Sequence, residues 1–229
     1  MTEHRLFPHG PLEEITPGLW RVEGSLPFPL KRNMTVYRLK DGTLLLHSVV
    51  ALHESGMRAL EALGKPSVMV VPHPMHTMDA PFYKERFPGL RIVAAADSTK
   101  KLDGKVKVDA TPDEALLELG VRARIAPGMK YTEVVLDVDV PGGRALLFTD
   151  LFGHVGDTKP GLMMRVLGPP KGLGVARIVK FRQIADREKV RGFLRDLATG
   201  SDLRVVTAGH GPPLVADCAA GLSTAAERL

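Results

Sequence analysis

The alternation of apolar and polar residues along the chain predicts strands and helices in mixed order. Two short apolar runs, at 34–39 and 43–46, flank the pair Asp41-Gly42. Because Asp-Gly favours a tight turn, these runs predict an antiparallel meander near the start of the fold. Apolar residues at 52–63 then repeat at helical spacing and stop at Gly64, which is typical of a helix with a glycine cap.

An apolar run at 68–71 is the segment around which the rest of the chain is organised. It is rich in valine and stops at Pro72, and the residues that follow include His73, His76 and Asp79. The run predicts a buried strand, because it is apolar on both faces. In layered α/β folds, ligands bind beyond the carboxyl ends of such strands. The residues after Pro72 are therefore candidates for a functional site.

The next periodic segments predict a parallel crossover and then a second hairpin. A helix at 81–87 and a buried strand at 91–95 form the crossover together with the preceding strand. Alternating residues at 131–140 and an apolar run at 145–149 form the hairpin. This hairpin ends at Asp150, which places a second polar side chain at the end of a strand.

The C-terminal part combines a long irregular segment with further regular elements. Glycine and proline are frequent at 154–174, which predicts a loop of the kind that forms a lid, with one helical turn at 162–166. An amphipathic helix at 186–197, a strand at 203–208 and a terminal helix at 216–229 follow. The whole order predicts an α/β fold with two mixed sheets between outer helices, a four-layer αββα sandwich.

Length and composition are those of a chain that buries one sizeable core. With 229 residues, of which 44% are hydrophobic, we expect a single domain at 1–229. No segment approaches the roughly 18 apolar residues that a membrane span requires, so we expect a soluble, cytoplasmic protein. Cys218 is the single cysteine, which excludes a disulfide or a thiolate zinc site within one chain. A metal would therefore need His, Asp, Glu or Met as ligands.

The net charge of +5 favours an anionic small-molecule substrate or ligand but is too small to indicate nucleic acid. Much of the positive charge lies in one basic segment, which contains Lys171, Arg177, Lys180, Arg182, Arg187, Lys189, Arg191 and Arg195. Few aromatic residues accompany it as stacking platforms, so a solvated helix face is favoured over a nucleic-acid groove. We expect neither a nucleic-acid partner nor a membrane partner, and a homo-oligomer stays open.

Four segments of the chain resemble the metallo-β-lactamase superfamily. Residues 15–22 are similar to its opening strand, and Val71-Pro72-His73 is similar to the strand that leads into its metal motif. Thr149-Asp150 resembles its bridging aspartate, and 208–211, which contains Gly209-His210-Gly211, resembles its last metal histidine. Residues 44–48 resemble more specifically an uncharacterised branch of the superfamily. The resemblance implies the αββα fold and a metal-dependent hydrolase.

The ligand motif of the superfamily is depleted in this chain. Its pattern is His-x-His-x-Asp-His, and the ungapped register keeps His73 but places Met75, Thr77 and Met78 at the other ligand positions. A further landmark, usually Pro-Gly-His, ends here in Met129. On this register the resemblance retains His73, Asp150 and His210 as ligands. A shifted register would use His76 and Asp79 instead, at the expense of the ungapped fit.

This depletion limits the metal chemistry that the resemblance implies. Two zinc ions need about eight nitrogen or oxygen ligand atoms, which three residues do not supply. His73, Asp150 and His210 could hold one zinc or other divalent ion at an open site, with His76 as a fourth donor. In the alternative interpretation, His210 is a surface residue in a glycine-flanked turn and Asp150 accepts hydrogen bonds from backbone amides.

The methionines and the other histidines permit further interpretations. Met75 and Met78 alternate with His73 and His76, a spacing that would suit monovalent copper. Methionine is more often an adaptable side chain that fills a vacant pocket, and that interpretation is favoured. Among the other histidines, His47 is expected to be a buried hydrogen-bonding residue. His53 and His154 are expected on loops or at the surface, with His154 near enough to Asp150 to line the same cleft.

The sequence therefore leads to two hypotheses about function. In the first, the chain is a mononuclear metal hydrolase in which His73 and His210 bind the ion and Asp150 binds it or orients the attacking water. Asp150 and His210 are then the catalytic residues, and 154–174 closes over an ester, lactone, thioester or phosphoester. In the alternative, the chain is a catalytically inactive binding or scaffold protein of the same fold that has lost its metals.

Overall fold

A computed structural model describes residues 4–155 and 172–229 of the chain. The chain divides into two compact units, Met1–Gly120 and Val121–Leu229, and each unit has its own sheet and its own apolar core. That residues 1–229 form a single domain stays a prediction. The helical turn expected at 162–166 lies outside the described residues.

The first unit is built on a six-stranded mixed sheet with the strands in chain order. Antiparallel pairing joins the first four strands, and parallel pairing joins the fourth, fifth and sixth. The strands are β1 (Glu13–Thr16), β2 (Leu19–Ser25), β3 (Lys31–Arg38), β4 (Leu44–His47), β5 (Pro66–Val71) and β6 (Arg91–Ala94). The predicted meander and the predicted parallel crossover are both confirmed.

Strand β5 leads to the candidate site because the apolar run forces it into the interior. Its residues from Val68 to Val71 are all buried, and β5 pairs with β4 on one side and β6 on the other. Such a central parallel strand is apolar on both faces, which is why its sequence lacks alternation. The chain can expose polar side chains only after Pro72, where the strand has ended.

The helices of the first unit pack their apolar residues against this sheet. They are α1 (Glu54–Leu63), α2 (Ala80–Arg86), α3 (Ala96–Leu102) and α4 (Pro112–Leu117). Met57 and Leu60 of α1 are buried in the same core cluster as Met69 and Tyr83. The helix predicted at 52–63 is confirmed. Helix α3 was not predicted, because its residues Asp97, Ser98 and Thr99 do not favour helix interiors.

The second unit contains a four-stranded sheet in the order β12-β9-β8-β7 and a separate two-stranded ribbon, β10-β11. The strands are β7 (Arg122–Ile125), β8 (Val134–Val140), β9 (Gly143–Leu147), β10 (Gly153–Val155), β11 (Gly172–Gly174) and β12 (Leu203–Thr207). The hairpin of β8 and β9 is confirmed, and β12 lies parallel to β9. Both ends of the segment predicted as a loop are strands that pair with each other, so the loop prediction was wrong there.

Helices α5 (Arg177–Arg182), α6 (Arg187–Leu197) and α7 (Cys218–Glu227) complete the second unit. The predicted amphipathic helix is confirmed as α6. Its first turn is capped by Asp186, which accepts hydrogen bonds from the backbone N–H groups of Glu188 and Lys189. Val190, Leu194 and Leu197 of α6 are buried in the core of this unit.

The basic segment lies on α5 and α6 and is largely exposed. Arg177, Arg182, Arg187, Lys189 and Arg195 are all exposed, so a solvated helix face is confirmed for them. Lys171 lies outside the described residues, and what binds this face stays a prediction. Within the two described ranges, the helices are either too short or too polar to cross a membrane.

Candidate functional site

The first group of candidate residues lies in the histidine turn, residues 72–79 between β5 and α2. His73 is fully buried and His76 is 5% exposed, and their rings meet edge to face with centroids 6.0 Å apart. The backbone N–H of His76 donates to the carbonyl of His73 at 2.9 Å, which closes the turn. The structure therefore brings His73 and His76 together through local backbone geometry.

The two histidine rings have different hydrogen-bonding partners. Nδ1 of His73 accepts a hydrogen bond from the backbone N–H of Met75 at 3.2 Å. Nδ1 of His76 lies 2.6 Å from Oγ of Ser48, a residue that follows β4 and is itself buried. Sequence analysis did not single out Ser48, because nothing in its local pattern indicates a partner 28 residues away.

Asp79 ends the histidine turn but makes structural contacts. Its Oδ2 forms an ion pair with the buried guanidinium of Arg32 and accepts a hydrogen bond from the backbone N–H of Ala51 at 2.7 Å. The nearby Tyr83 hydroxyl donates to the carbonyl of Val50, and burial followed by the charge of Asp79 raises the pKa of Tyr83. These contacts give Asp79 a structural role, which favours the ungapped register over the shifted register in which Asp79 would be a metal ligand.

The second group of candidate residues lies in the aspartate turn, residues 148–152 between β9 and β10. Oδ1 of Asp150 is 3.5 Å from Nε2 of His210, and the two side chains are 12% and 27% exposed. The carbonyl of His210 accepts a hydrogen bond from the backbone N–H of His154 at 2.8 Å, which ties the His210 loop to β10. Asp150 and His210 are thus neighbours, as the sequence predicted.

Two glycines make this close approach possible. A Cβ added to Gly209 would lie 2.7 Å from the carbonyl oxygen of Thr149, and one added to Gly211 would lie 1.7 Å from that of His154. Gly211 also has a φ of +88°, which side chains other than glycine rarely adopt. The Gly209-His210-Gly211 sequence is therefore required by backbone packing, and the histidine is held between two fixed contacts.

Glu133 is a buried acid beside Asp150 that sequence analysis missed. It is fully buried just before β8, and its carboxylate accepts hydrogen bonds from the backbone N–H groups of Thr149 at 2.7 Å and Asp150 at 3.2 Å. Burial and then the charge of Asp150 raise the pKa of Glu133 to about 8. Glu133 therefore anchors the backbone of the aspartate turn.

The methionines do not have the role that the sequence favoured. Met75 is 69% exposed and Met78 is 41% exposed, so neither fills a vacant pocket, and that interpretation was wrong for both. Met129 is partly buried against the apolar core of the second unit. Copper binding by Met75 and Met78 stays a prediction.

Three other histidines lie largely where the sequence predicted. His47 is buried at the end of β4, as expected, and His53 is exposed, with its ring stacked on His9. His154 is half-buried on β10, and its Nδ1 is 2.7 Å from the carbonyl oxygen of Pro212. His154 therefore lies on a strand and not on the loop that the sequence had suggested, and whether it lines a cleft with Asp150 stays a prediction.

Comparison with known proteins identifies the fold. No protein-family model matches the chain, and no curated protein matches it by sequence. DIM-1 metallo-β-lactamase is similar in structure at 13% identity, with 99% of each chain covered and a TM-score of 0.65. FIM-1 from Pseudomonas aeruginosa in its mono-zinc form has 14% identity, covers 99% of this chain and 97% of its own, and gives a TM-score of 0.63.

A metallo-β-lactamase from Erythrobacter litoralis is similarly related, at 15% identity, with 95% of this chain and 96% of its own covered and a TM-score of 0.64. The chain therefore has the metallo-β-lactamase fold, and the predicted αββα class with two mixed sheets is confirmed. At these identities the likeness establishes the fold and leaves the chemistry to the residues.

The residues present fit one metal ion better than two. The imidazole and carboxylate side chains of His73, His76, Asp150 and His210 are donors that zinc accepts. Asp79 is paired with Arg32, and exposed Met75 and Met78 offer only thioether sulfur. A second ion would lack the nitrogen and oxygen ligands that it needs. Convergence of the histidine turn and the aspartate turn on one ion stays a prediction.

Proposed function

We propose that this protein binds a single divalent ion, zinc being the best match to its donors, and acts as a mononuclear hydrolase. The observation that carries the proposal is the pair of buried histidines His73 and His76, whose ring centroids are 6.0 Å apart in the histidine turn. Asp150 of the other unit is proposed to complete the donor set. The similarity to metallo-β-lactamases supports it, because it extends over 99% of the chain and so over both units. FIM-1 was solved in a mono-zinc form, so this fold can hold one zinc in that protein.

Each residue has a defined role in this proposal. His73 and His76 bind the ion from the histidine turn, and Asp150 binds it or orients the attacking water from the aspartate turn. His210, at 3.5 Å from Asp150, shares that carboxylate or provides a further ligand. A bound zinc would act as a Lewis acid and lower the pKa of its water, which is the chemistry that cleaves an ester, lactone, thioester or phosphoester.

The substrate class follows from charge. The chain carries a net charge of +5, and the exposed cations of α5 and α6 add a positive field. Such a field raises the local concentration of anions, so an anionic small molecule is the proposed substrate. We retain the proposals that the protein is cytoplasmic and binds neither nucleic acid nor a membrane.

A non-catalytic binding protein is the second candidate, and one observation favours it. His73 receives a hydrogen bond from Met75, and the backbone of Asp150 is bound by Glu133, so part of the polar site is satisfied by the chain itself. A buried site that is satisfied without a metal can persist after the metal has been lost. The two candidates differ in whether purified protein retains an ion.

Metal content tests the proposal directly. Protein purified without a histidine tag and dialysed against a weak chelator should retain zinc at no more than one equivalent per chain, measured by elemental analysis. His76→Gln should reduce retention at least tenfold, because it removes a ligand. His53→Gln is the matched control, since His53 is an exposed histidine outside the site, and it should leave retention unchanged.

Two outcomes would contradict the proposal. Retention of two equivalents would contradict the single-ion site and require ligands that the described turns do not provide. Retention of no zinc, with no uptake of added zinc, cobalt or manganese, would favour the binding protein.

A further inference from the structure

Ser48 has a backbone conformation that is unfavourable for serine. Its φ is +57°, in the left-handed region, and within the described ranges Asp217 is the one other residue apart from glycine with a positive φ. This conformation is unfavourable for an L-residue with a side chain, whereas glycine adopts it freely. The strain persists because the Ser48 N–H donates to the carbonyl of Val70 at 3.2 Å, which ties the residue to the end of β5.

The hydroxyl of Ser48 is the feature that glycine would not supply. Its Oγ is 2.6 Å from Nδ1 of His76, and the two residues are only 1% and 5% exposed. A contact this short between buried groups is a strong hydrogen bond. Backbone strain of this kind occurs at functional sites, where the surrounding structure enforces it.

The Nδ1 contacts of the two histidines in the turn favour different tautomers of the two rings. Because Nδ1 of His73 accepts the Met75 N–H, the neutral ring of His73 carries its proton on Nε2. The Ser48 hydroxyl can instead accept a hydrogen bond from Nδ1–H of His76, and in that tautomer the ring lone pair is on Nε2. Metal-binding histidines usually donate their other ring N–H to such a partner, which fixes the ring and increases its basicity.

We propose that Ser48 is a positioning residue, whose strained backbone places its hydroxyl where it orients His76 and holds the proton on Nδ1. This inference rests on the proposed metal site and assigns His76 as its best-prepared histidine ligand, with Nε2 as the ligand atom. Ser48 is not a nucleophile, because its 1% exposure keeps it from contacting a substrate. His73 binds an ion only after it gives up its present tautomer or its contact with Met75.

Substitution of Ser48 separates this role from a purely structural one. Ser48→Gly removes the hydroxyl but also relieves the backbone strain, so these effects on melting temperature offset each other while zinc affinity falls ten- to a hundred-fold. Ser48→Ala removes the hydroxyl and keeps the strain, so it should lose the same affinity and melt at a lower temperature. Asp217→Gly is the matched control, since it relieves the other left-handed residue and should not change zinc affinity.

The tautomer of His76 gives a readout that needs no metal. In long-range ¹⁵N–¹H spectra of metal-free protein at a fixed neutral pH, wild-type His76 should carry its proton on Nδ1, and His73 should carry it on Nε2. Ser48→Gly should move the His76 ring toward a mixture of tautomers. A wild-type His76 protonated on Nε2, or a tautomer and an affinity that Ser48→Gly leaves unchanged, would overturn the inference.

These measurements distinguish failure of the proposed metal site from failure of the proposed role of Ser48. If wild-type protein binds no divalent ion, the proposed function fails, yet the tautomer of His76 in metal-free protein still decides the role of Ser48. If wild-type protein binds one ion and Ser48→Gly binds it equally well, the proposed function stands and the role of Ser48 is refuted.

Discussion

The histidine turn and the aspartate turn treat buried carboxylates in opposite ways. In the first, Asp79 is paired with the buried guanidinium of Arg32 and accepts an amide hydrogen bond, so its charge is compensated within its own unit. In the second, Glu133 accepts a hydrogen bond from the backbone N–H of Asp150, and burial followed by the charge of Asp150 raises the pKa of Glu133 to about 8.

The carboxylate of the histidine turn therefore has a structural use, whereas those of the aspartate turn are suited to a functional one. A compensated carboxylate fixes a turn and has little remaining attraction for an ion. Two neighbouring acids instead do not both ionise easily, so Glu133 retains a proton, and a cation placed beside the pair would favour release of that proton. The aspartate turn is therefore the part of the molecule where a metal would gain most, while the histidine turn supplies a rigid frame for nitrogen ligands.

The largest expected effect concerns the compensated carboxylate. Asp79→Asn keeps the shape of the side chain but leaves the buried charge of Arg32 without its partner, so it should lower the free energy of unfolding by about 3 to 5 kcal/mol. Chemical denaturation of wild type and variant measures this difference. Zinc content per folded chain should remain unchanged, because Asp79 is not a ligand.

An exposed ion pair on the same strand provides the control. Lys31, next to Arg32, pairs with Glu23, and their side chains are 66% and 30% exposed. Glu23→Gln should change stability by about 1 kcal/mol or less, because surface ion pairs contribute little. If Asp79→Asn destabilised the protein no more than Glu23→Gln, the buried ion pair of Asp79 would not be what stabilises the histidine turn.

The second prediction concerns the acid pair and its pH dependence. Glu133 has a folded-state pKa of about 8 against an ordinary value of 4.5, so the folded protein holds a proton that the unfolded chain releases between these values. The contribution of Glu133 to stability is therefore full below about pH 4.5 and is lost as pH rises toward 8. The total loss should be on the order of 5 kcal/mol in metal-free protein.

Glu133→Gln isolates this effect, because glutamine does not titrate. The difference in unfolding free energy between wild type and variant, measured from pH 5 to pH 8.5, should shrink as pH rises. Glu133→Gln should also be the less stable protein at the acidic end, since its amide accepts only one of the two backbone hydrogen bonds. A difference that stays constant over this range would mean that Glu133 is already ionised at pH 5.

The sequence predicted the parts of the site that local pattern controls. His73 follows a buried strand that ends at a proline, and Asp150 follows a hairpin, so strand prediction alone placed both at strand ends. His210 was identified by its resemblance to the last metal histidine of the metallo-β-lactamase superfamily, and the close approach of two backbones accounts for the glycines on either side of it. These features depend on residues that are adjacent in the chain.

Other parts could not be predicted, because they depend on contacts across the sheet. Arg32 begins a strand and has no sign in its neighbours that Asp79 lies beside it, although an arginine in a strand buried on both faces is an available signal. Glu133 was taken as one polar position of an alternating run, whereas β8 begins one residue later and Glu133 is buried. The left-handed backbone of Ser48 leaves no trace in composition or periodicity.

The smallest expected effect on stability belongs to Asp150→Asn, which tests whether the aspartate turn binds a metal. Asp150→Asn removes one of the two neighbouring charges, so repulsion with Glu133 falls while the 3.5 Å contact with His210 weakens. The repulsion concerns ionised Glu133, whose pKa the charge of Asp150 helps to raise, so its relief is small near neutral pH. The two changes oppose each other, and the free energy of unfolding of metal-free protein should stay within about 1 kcal/mol of wild type. Zinc should raise the melting temperature of wild type and leave that of the variant unchanged, because a ligand stabilises only the protein that binds it.

If Asp150 instead serves only to accept backbone hydrogen bonds, the same substitution should destabilise the protein by about 1 to 3 kcal/mol with or without zinc. That outcome would end the hydrolase proposal, since the aspartate turn would then compensate its charge internally, as the histidine turn does.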